Sequence, residues 1–149
     1  MTYYPYLIIG GGMTGAAAAN GIREIDDAGV IGLVSAEPEP PYDRPPLSKK
    51  LWDGKKVEEI YVNLPDNVQP YFGRRVVALD PAARAVTLDD GASDTYGRLL
   101  LATGGDPRRL PFGGSAVNYY RTLADYRALR ADAERGARFI VIGGGFIGS

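Results

Sequence analysis

The stretch YLIIGGGMTG, residues 6–15, decides how the rest of the chain is interpreted. Tyr6 to Ile9 is a short aliphatic run that predicts a strand, and three glycines separate it from the alanine-rich segment 16–19, which predicts a helix. Ile22 and Ile25 continue the helical spacing, and Gly29 is expected to end the helix. The branched apolar run 30–34 then predicts a second strand that is buried on both faces. Together these segments predict a βαβ unit.

Gly10, Gly12 and Gly15 form the pattern G-x-G-x-x-G between the predicted strand and the predicted helix. In this pattern the first glycine permits a tight turn, the second lets a pyrophosphate approach the backbone, and the third lets helix and strand pack closely. Met13 and Thr14 lie at the start of the helix, whose N-terminus attracts an anion. The candidate nucleotide contacts in this turn are therefore Gly10, Gly12, Met13, Thr14 and Gly15.

Glu37 completes the nucleotide-binding fingerprint. It stands 22 residues after Gly15, just beyond the second predicted strand. An acidic side chain at this distance binds the ribose hydroxyls and repels a 2′-phosphate. Because strand, glycines, helix, strand and carboxylate occur in this order, a nucleotide site is favoured over a purely structural glycine turn.

Composition excludes several other functions. The 149 residues include 17 Lys and Arg against 18 Asp and Glu, so no overall positive charge would attract nucleic acid. The chain has no Cys and no His, which excludes dithiol chemistry, thiolate ligands and the most common general base. No segment resembles a signal peptide or a membrane span, so a soluble, cytoplasmic protein without membrane association is expected. Its chemistry must come from a cofactor, a carboxylate or a lysine.

Further along the chain, five prolines over residues 38–46 predict a stiff, extended loop that is either surface structure or the wall of a site. Residues 52–70 are too mixed for an assignment. The remaining predictions are a short helix over 47–51, a β-meander with strands at 75–79, 85–88 and 99–102, of which the last is buried, an amphipathic helix over 123–133, and a buried strand over 139–142.

The loop PYDRPPLSK, residues 41–49, carries two cations, Arg44 and Lys49, on a rigid scaffold shortly after the ribose carboxylate. These cations could reach a phosphate or a cofactor ring. From composition alone, a solvated basic loop is the simpler interpretation.

The motifs together resemble a known family. Glu37 is followed by PYDRPPLSK at 41–49, LATGGDPR at 101–108 and YRTL at 120–123. This series resembles the flavin-dependent ferredoxin, rubredoxin and putidaredoxin reductases, the group that includes apoptosis-inducing factor. The resemblance implies an α/β fold with a Rossmann-like FAD-binding lobe, in which a parallel sheet is joined to a β-meander. It divides the chain into an incomplete FAD-binding domain over 1–112 and the truncated beginning of a Rossmann-like NAD(P)H-binding domain over 113–149.

The same resemblance implies roles for particular residues. FAD would bind with its ADP half on residues 10–15 and Glu37. Arg44, Pro45 and Lys49 would lie beside the pyrophosphate and flavin. Lys49 is the candidate catalytic residue, because a positive charge near the flavin N5 edge favours the reduced, anionic flavin.

Other implied contacts lie later in the chain. The strand around Val76 would contact the adenine, although its alternating pattern also fits a core position. Arg121 would contact the FAD phosphates, although the charge-rich predicted helix that follows it also fits a surface arginine. The remaining implied contacts are Ala102, Thr103 and Gly104 near FAD, and Gly143, Gly145 and Gly148 in a second phosphate-binding turn for NAD(P)H.

The absence of cysteine distinguishes this chain from family members with a redox-active cysteine. We therefore expect hydride transfer from NAD(P)H to FAD, followed by electron transfer to a ferredoxin- or rubredoxin-like protein or to a small acceptor. The alternative is a truncated nucleotide-binding module without turnover of its own. The 149 residues on their own are expected to bind FAD weakly or not at all, and a homodimer is one possible assembly.

Overall fold

The computed structural model describes residues 1–145 and residue 147. Two compact units are distinguished by packing, one formed by residues 1–43 and 60–104 and the other by residues 44–59 and the chain from 105 onward. The strands are β1 (Tyr3–Ile9), β2 (Ile31–Ser35), β3 (Val68–Phe72), β4 (Val76–Asp80), β5 (Ala85–Leu88) and β6 (Ser93–Leu101). The helices are α1 (Met13–Arg23) and α2 (Leu123–Glu134), with short 3₁₀ helices at Pro45–Ser48, Val57–Ile60 and Gly114–Ala116.

The first unit contains a six-stranded sheet in the order β3-β2-β1-β6-β5-β4. β3, β2, β1 and β6 run parallel to one another. β5 pairs antiparallel with β6, and β4 pairs antiparallel with β5. The chain therefore adds β2 and β3 on one side of β1 and later returns to place β6 on the other side. This confirms the predicted α/β fold and creates a topological switch point between β1 and β6, where ligands of open α/β sheets bind.

The core of the first unit lies on both faces of this sheet. All five residues of β2 are buried, as its continuous apolar run predicts. One cluster joins Ile8, Ile31 and Leu33 to Ala19 of α1. A second cluster includes Tyr4, Leu7, Val34, Val86 and Tyr96, from β1, β2, β5 and β6. The alternation of β1 between the two clusters fixes its register.

Helix α1 ends at Arg23, which is earlier than the predicted end at Gly29. The Arg23 guanidinium donates to the carbonyl oxygens of Asp26 and Gly29, and the Asp26 carboxylate accepts from the backbone N–H groups of Ala28 and Gly29. These side-chain bonds offer the backbone an alternative to another helical turn. The continuation of the helix through Ile25 is therefore wrong, and Ile25 is 91% exposed.

Two strands differ from their predictions. β3 lies in the segment left unassigned, and it includes Pro70. A proline is tolerated there because β3 lies at the end of the sheet, where a missing N–H can face away from its neighbour. β6 forms, but Leu100 and Leu101 are exposed, so the predicted burial of 99–102 is wrong. The cause is that β5 pairs with β6 only opposite residues 93–95.

The second unit contains α2 and residues 44–59, which include the 3₁₀ helix at 45–48. Leu47, Leu51, Leu123 and Tyr126 are buried. The predicted helix over 47–51 is instead this 3₁₀ turn, because the bonds are of the i to i+3 type, such as Lys49 N–H to the Pro46 carbonyl. The start of α2 is fixed by a capping box, in which the Thr122 hydroxyl accepts from the Asp125 backbone N–H and the Asp125 carboxylate accepts from the Thr122 backbone N–H.

Residues 139–142 do not form the predicted buried strand. Within the described residues they are irregular, and Ile140 is 93% exposed. An apolar run becomes a strand only where a neighbouring strand satisfies its backbone groups, and no strand of the described ranges pairs with it. Among residues 1–145 and 147, no helix has the length and apolarity needed to cross a bilayer.

Candidate functional site

The candidate site of the first unit lies at the carboxyl ends of β1, β2 and β6. Ile9 is paired with Val34 and with Leu101, so the three strands end at the same edge of the sheet. Gly10 N–H donates to the Val34 carbonyl at 2.8 Å, and Ala102 N–H donates to the Ile9 carbonyl at 2.8 Å. The glycine turn is thus bonded to both neighbouring strands at the switch point of the sheet.

The three motif glycines occupy different surroundings. Gly10 has a φ of +123°, and a Cβ on it would lie 2.0 Å from the Ala102 carbonyl oxygen. A Cβ on Gly15 would lie 2.0 Å from the Gly10 carbonyl oxygen. No atom lies within 4 Å of a Cβ position on Gly12. Gly10 and Gly15 are therefore required for packing, whereas Gly12 faces open space where a ligand could approach.

Gly11 is a site residue that the motif did not predict. A Cβ on Gly11 would lie 2.4 Å from the Cβ of Ser35 at the end of β2. The pattern G-x-G-x-x-G leaves this position undefined. The only available signal was the run of three consecutive glycines, which is one more than the turn requires.

The N-terminus of α1 is open to an anion. Gly12 is the N-cap residue, so no side chain caps the helix, and no acidic residue lies in its first turn. Met13 and Thr14 are both exposed. The first N–H groups of a helix carry partial positive charge and have no partner inside the helix. This end of α1 can accept a phosphate group, as the sequence predicts.

Glu37 lies two residues beyond β2, at the same edge of the sheet. Its carbonyl oxygen accepts the Gly73 N–H at 3.0 Å, and the carbonyl oxygen of Ser35 accepts the Arg74 N–H at 2.9 Å. The Tyr42 hydroxyl donates to Glu37 Oε2 at 2.5 Å. The carboxylate is half-buried and is held at both its main chain and its side chain.

Val76 begins β4 shortly after the turn that contacts the Glu37 backbone. It is half-buried and packs against the cluster of Tyr4 and Leu7, which fits a core position. The register of β4 against β5 shifts between Val76 and Ala78, and β4 is the last strand of the sheet. An edge strand presents backbone groups on its outer side, so contact with adenine stays a prediction.

The segment 102–104 lies against the glycine turn. The carbonyl oxygen of Ala102 and the N–H of Thr103 are the atoms that a Cβ on Gly10 would meet. Gly104 has a φ of +67° and is the last residue of the first unit. The position of these three residues agrees with the predicted exit of the chain from the lobe. The predicted domain boundary after residue 112 and the three cofactor contacts stay predictions.

In the second unit, two predicted phosphate contacts lie side by side. Arg44 Nη1 donates to the Arg121 carbonyl oxygen at 2.9 Å. Pro45 is the first residue of the 3₁₀ helix, and Lys49 is exposed just after it. A cavity of about 110 Å³ lies within this unit. It is lined by Arg44, Leu47, Ser48, Tyr120, Arg121 and Ile147.

The second glycine turn is described only in part. Gly143 and Gly145 are exposed, and Gly143 has a φ of +110°. Gly148 lies outside the described residues. No helix is described after this turn, so its predicted role in NAD(P)H binding stays a prediction.

In the first unit, the shifted pKa values belong to structural groups. Hydrogen bonds from the backbone N–H of Gly29 and from the hydroxyl of Tyr6 lower the pKa of the Asp26 carboxyl. The bond between Tyr6 and Asp26 in turn raises the pKa of Tyr6. Burial raises the pKa of Tyr4, and a hydrogen bond with Tyr71 contributes. These groups fix the start of β1 and the turn after α1. The chemistry that the glycine turn offers is therefore ligand binding by N–H groups and a carboxylate.

Comparison with known proteins gives a consistent family. The profile described as "Pyridine nucleotide-disulphide oxidoreductase" matches residues 4–149. The chain is 41% identical to the 5,5'-dehydrodivanillate O-demethylase ferredoxin reductase subunit of Sphingobium sp. (strain NBRC 103272 / SYK-6), over 99% of this chain and 38% of that protein. It is 39% identical to putidaredoxin reductase of Pseudomonas putida, over 95% of this chain and 36% of that protein.

Solved structures agree. The chain is similar to the covalent putidaredoxin reductase–putidaredoxin complex, with a TM-score of 0.79 and 35% identity over 89% of this chain and 34% of that one. The NADH:rubredoxin oxidoreductase of Clostridium acetobutylicum shares the fold, with a TM-score of 0.85 and 23% identity over 99% of this chain and 40% of that one. The chain spans 34% to 40% of the length of these four proteins. By its profile match and its sheet with a glycine turn at the switch point, the chain belongs to the pyridine nucleotide-disulphide oxidoreductase family.

Proposed function

We propose that the chain supplies the FAD-binding part of an NAD(P)H-dependent reductase that passes electrons to a ferredoxin- or rubredoxin-type acceptor. One observation carries the proposal: the open space over Gly12, the uncapped N-terminus of α1 and the Glu37 carboxylate share one edge of the sheet. A dinucleotide needs a donor set for its pyrophosphate and an acceptor for its ribose hydroxyls. The residues present fit the ADP half of FAD.

Each residue has a separate task in this proposal. The N–H groups at the start of α1 would bind the pyrophosphate, and the missing side chain of Gly12 lets the phosphate approach. Glu37 would accept hydrogen bonds from both ribose hydroxyls. Its negative charge would also repel a 2′-phosphate, so the expected ligand has an adenosine ribose with a free 2′-hydroxyl.

The cations of the second unit have proposed roles of their own. Arg44 and Arg121 would bind phosphate oxygens, and their shared cavity supports this assignment. Lys49 would place a positive charge that favours the reduced, anionic flavin. The chemistry that FAD would supply is acceptance of a hydride from NAD(P)H and release of single electrons.

The acceptor is proposed from the relatives and from composition. The curated relatives are named as ferredoxin reductases, and one solved relative is a complex with putidaredoxin. The chain has no cysteine to relay electrons, which supports direct transfer to an external partner. A small electron acceptor, a cytoplasmic location and a homodimer also remain predictions.

A second candidate is a nucleotide-binding module without turnover. It is favoured by segment 139–145, which is exposed and irregular where a buried strand leading into the second glycine turn was predicted. The two candidates differ in a single measurement, which is NADH-dependent bleaching of the flavin absorbance. Bleaching in a protein that contains these residues and holds FAD supports the reductase, whereas its absence supports the module.

The binding proposal is tested by titrating the 149-residue chain with FAD and following the quenching of flavin fluorescence. Glu37→Ala is expected to weaken FAD binding by about 1.5 to 3 kcal/mol, because a charge-assisted hydrogen bond is lost. Glu39→Ala, two residues further on, is the matched control and should bind like the wild type. An unchanged affinity in Glu37→Ala would remove this residue from the site. Stoichiometric FAD retained through gel filtration would contradict the expected weak binding.

A further inference from the structure

Two glutamates on the loop that follows β2 each accept a hydrogen bond from a tyrosine, and the two tyrosines are paired in one antiparallel bridge. The Tyr42 hydroxyl donates to Glu37 Oε2 at 2.5 Å, and the Tyr61 hydroxyl donates to Glu39 Oε2 at 2.6 Å. Only Glu37 of these two glutamates stands at the ribose position of the nucleotide fingerprint. The two pairs therefore offer the same bond, and only one of them includes the residue at the ribose position.

The main chain fixes where the Tyr42 side chain lies. Tyr42 and Tyr61 form an antiparallel bridge. The bridge is reinforced by Asp43 N–H to the Ile60 carbonyl at 2.9 Å and by Val62 N–H to the Pro41 carbonyl at 2.7 Å. Tyr42 is only 3% exposed, so its ring is held by packing as well. Its hydroxyl is consequently a donor at a fixed position.

The Glu37 main chain is also fixed, by the Gly73 N–H. With the backbone held, the direction of the carboxylate depends on its side-chain torsions, and the Tyr42 hydroxyl restrains these. A carboxylate can accept about four hydrogen bonds, so a bond from Tyr42 is compatible with bonds from two ribose hydroxyls. Holding an acceptor in its binding conformation before the ligand arrives reduces the entropy lost on binding.

We propose that Tyr42 is a positioning residue that orients Glu37 toward the ribose diol and so sets the preference for ribose over 2′-deoxyribose. The proposal rests on the proposed nucleotide site and adds a residue that the fingerprint does not contain. Tyr61 donates the equivalent hydrogen bond to Glu39. That bond stabilises the loop and does not act on the ligand.

The test uses the 149-residue chain and two probes of the ADP half, ADP and 2′-deoxy-ADP, titrated by calorimetry. The wild type is expected to bind ADP more tightly than 2′-deoxy-ADP. Tyr42→Phe is expected to weaken ADP binding about fivefold, within the range of an ordinary lost hydrogen bond, and to bring the ratio of the two dissociation constants toward one. Tyr61→Phe removes the same atom from the neighbouring tyrosine–glutamate pair and should leave that ratio unchanged.

A double substitution separates positioning from a structural role. In the Glu37→Gln background, Tyr42→Phe is expected to cause no further loss of ADP affinity, because its effect passes through the carboxylate. Equal weakening of both ligands by Tyr42→Phe, with the ratio preserved, would overturn the proposal and leave the nucleotide site standing. A wild type that binds both ligands equally would instead refute the ribose assignment of Glu37, and the role of Tyr42 would fall with it.

Discussion

The two compact units differ in charge and in the kind of group that each offers to a ligand. The first unit has eleven acidic and five basic side chains, whereas the second has seven acidic and twelve basic side chains. The candidate site of the first unit is made by backbone around Gly10 to Gly15 and by one restrained carboxylate. The candidate groups of the second unit are the long cations Arg44, Lys49 and Arg121. A near-neutral total charge therefore conceals one unit with an excess of negative charge and another with an excess of positive charge.

The difference teaches that the two units should respond to different perturbations. A site made by backbone is sensitive to added atoms, because its geometry depends on close packing. Exposed cations act through charge and are screened by salt. Single substitutions in each unit can separate these responses.

The largest effect is expected from a methyl group added to the backbone site of the first unit. Gly10→Ala places a Cβ 2.0 Å from the Ala102 carbonyl oxygen at a φ of +123°. The free energy of unfolding should fall by about 2 to 4 kcal/mol, measured by urea denaturation. Gly12→Ala is the matched control, because its Cβ meets no atom within 4 Å. It should cost about 1 kcal/mol or less in stability while weakening FAD binding at least about tenfold. Equal stability of the two variants would contradict the packing assigned to Gly10.

An intermediate effect is expected from the second unit, where removing one cation should alter electrostatics and leave folding intact. Lys49→Met in an FAD-loaded protein that contains these residues should lower the flavin reduction potential by about 20 mV, equivalent to about 1 kcal/mol. FAD affinity should stay within about twofold. Lys50→Met removes the same charge from the next residue and should leave the potential near the wild-type value. Loss of FAD with an unchanged potential would make Lys49 a structural residue.

The smallest effect is expected at the turn that ends α1, away from both sets of candidate groups. Hydrogen bonds from Gly29 N–H and the Tyr6 hydroxyl lower the pKa of Asp26 below its ordinary 3.8. A carboxyl with a lowered pKa stabilises the folded state above its unfolded pKa, and this contribution is lost as the pH falls through the folded value. Melting temperatures recorded from pH 7 to pH 2.5 should therefore fall below about pH 4 in the wild type. Asp26→Asn should flatten part of that fall, whereas Asp27→Asn should follow the wild type.

Much of the first unit could be predicted from sequence because its signals are local. β2 is a continuous apolar run, and the glycine turn and Glu37 are defined by spacing along the chain. β3 could not be predicted, because whether Pro70 is tolerated depends on which strand lies beside it. The end of α1 depends on where the side chains of Arg23 and Asp26 find backbone partners.

The site itself was only partly predictable for the same reason. The tight fit of Gly11 against Ser35 joins residues that the chain separates by a helix and a strand. The bond from Tyr42 to Glu37 joins residues that are close in sequence, but no spacing rule indicates that a tyrosine points at the carboxylate. Patterns identify the groups that can bind a nucleotide, and only three-dimensional contacts identify what holds those groups in place.

The exposed segment 139–142 has a practical consequence for every solution measurement suggested above. Its four consecutive residues are Phe, Ile, Val and Ile, without a charge or a proline to interrupt them. Such a segment favours intermolecular β-pairing at the protein concentrations that calorimetry requires. Colloidal self-association through it would imitate a specific dimer and would deplete the binding-competent protein. Light scattering across a dilution series, with Ile140→Lys as a gatekeeper variant, distinguishes this behaviour from a true homodimer.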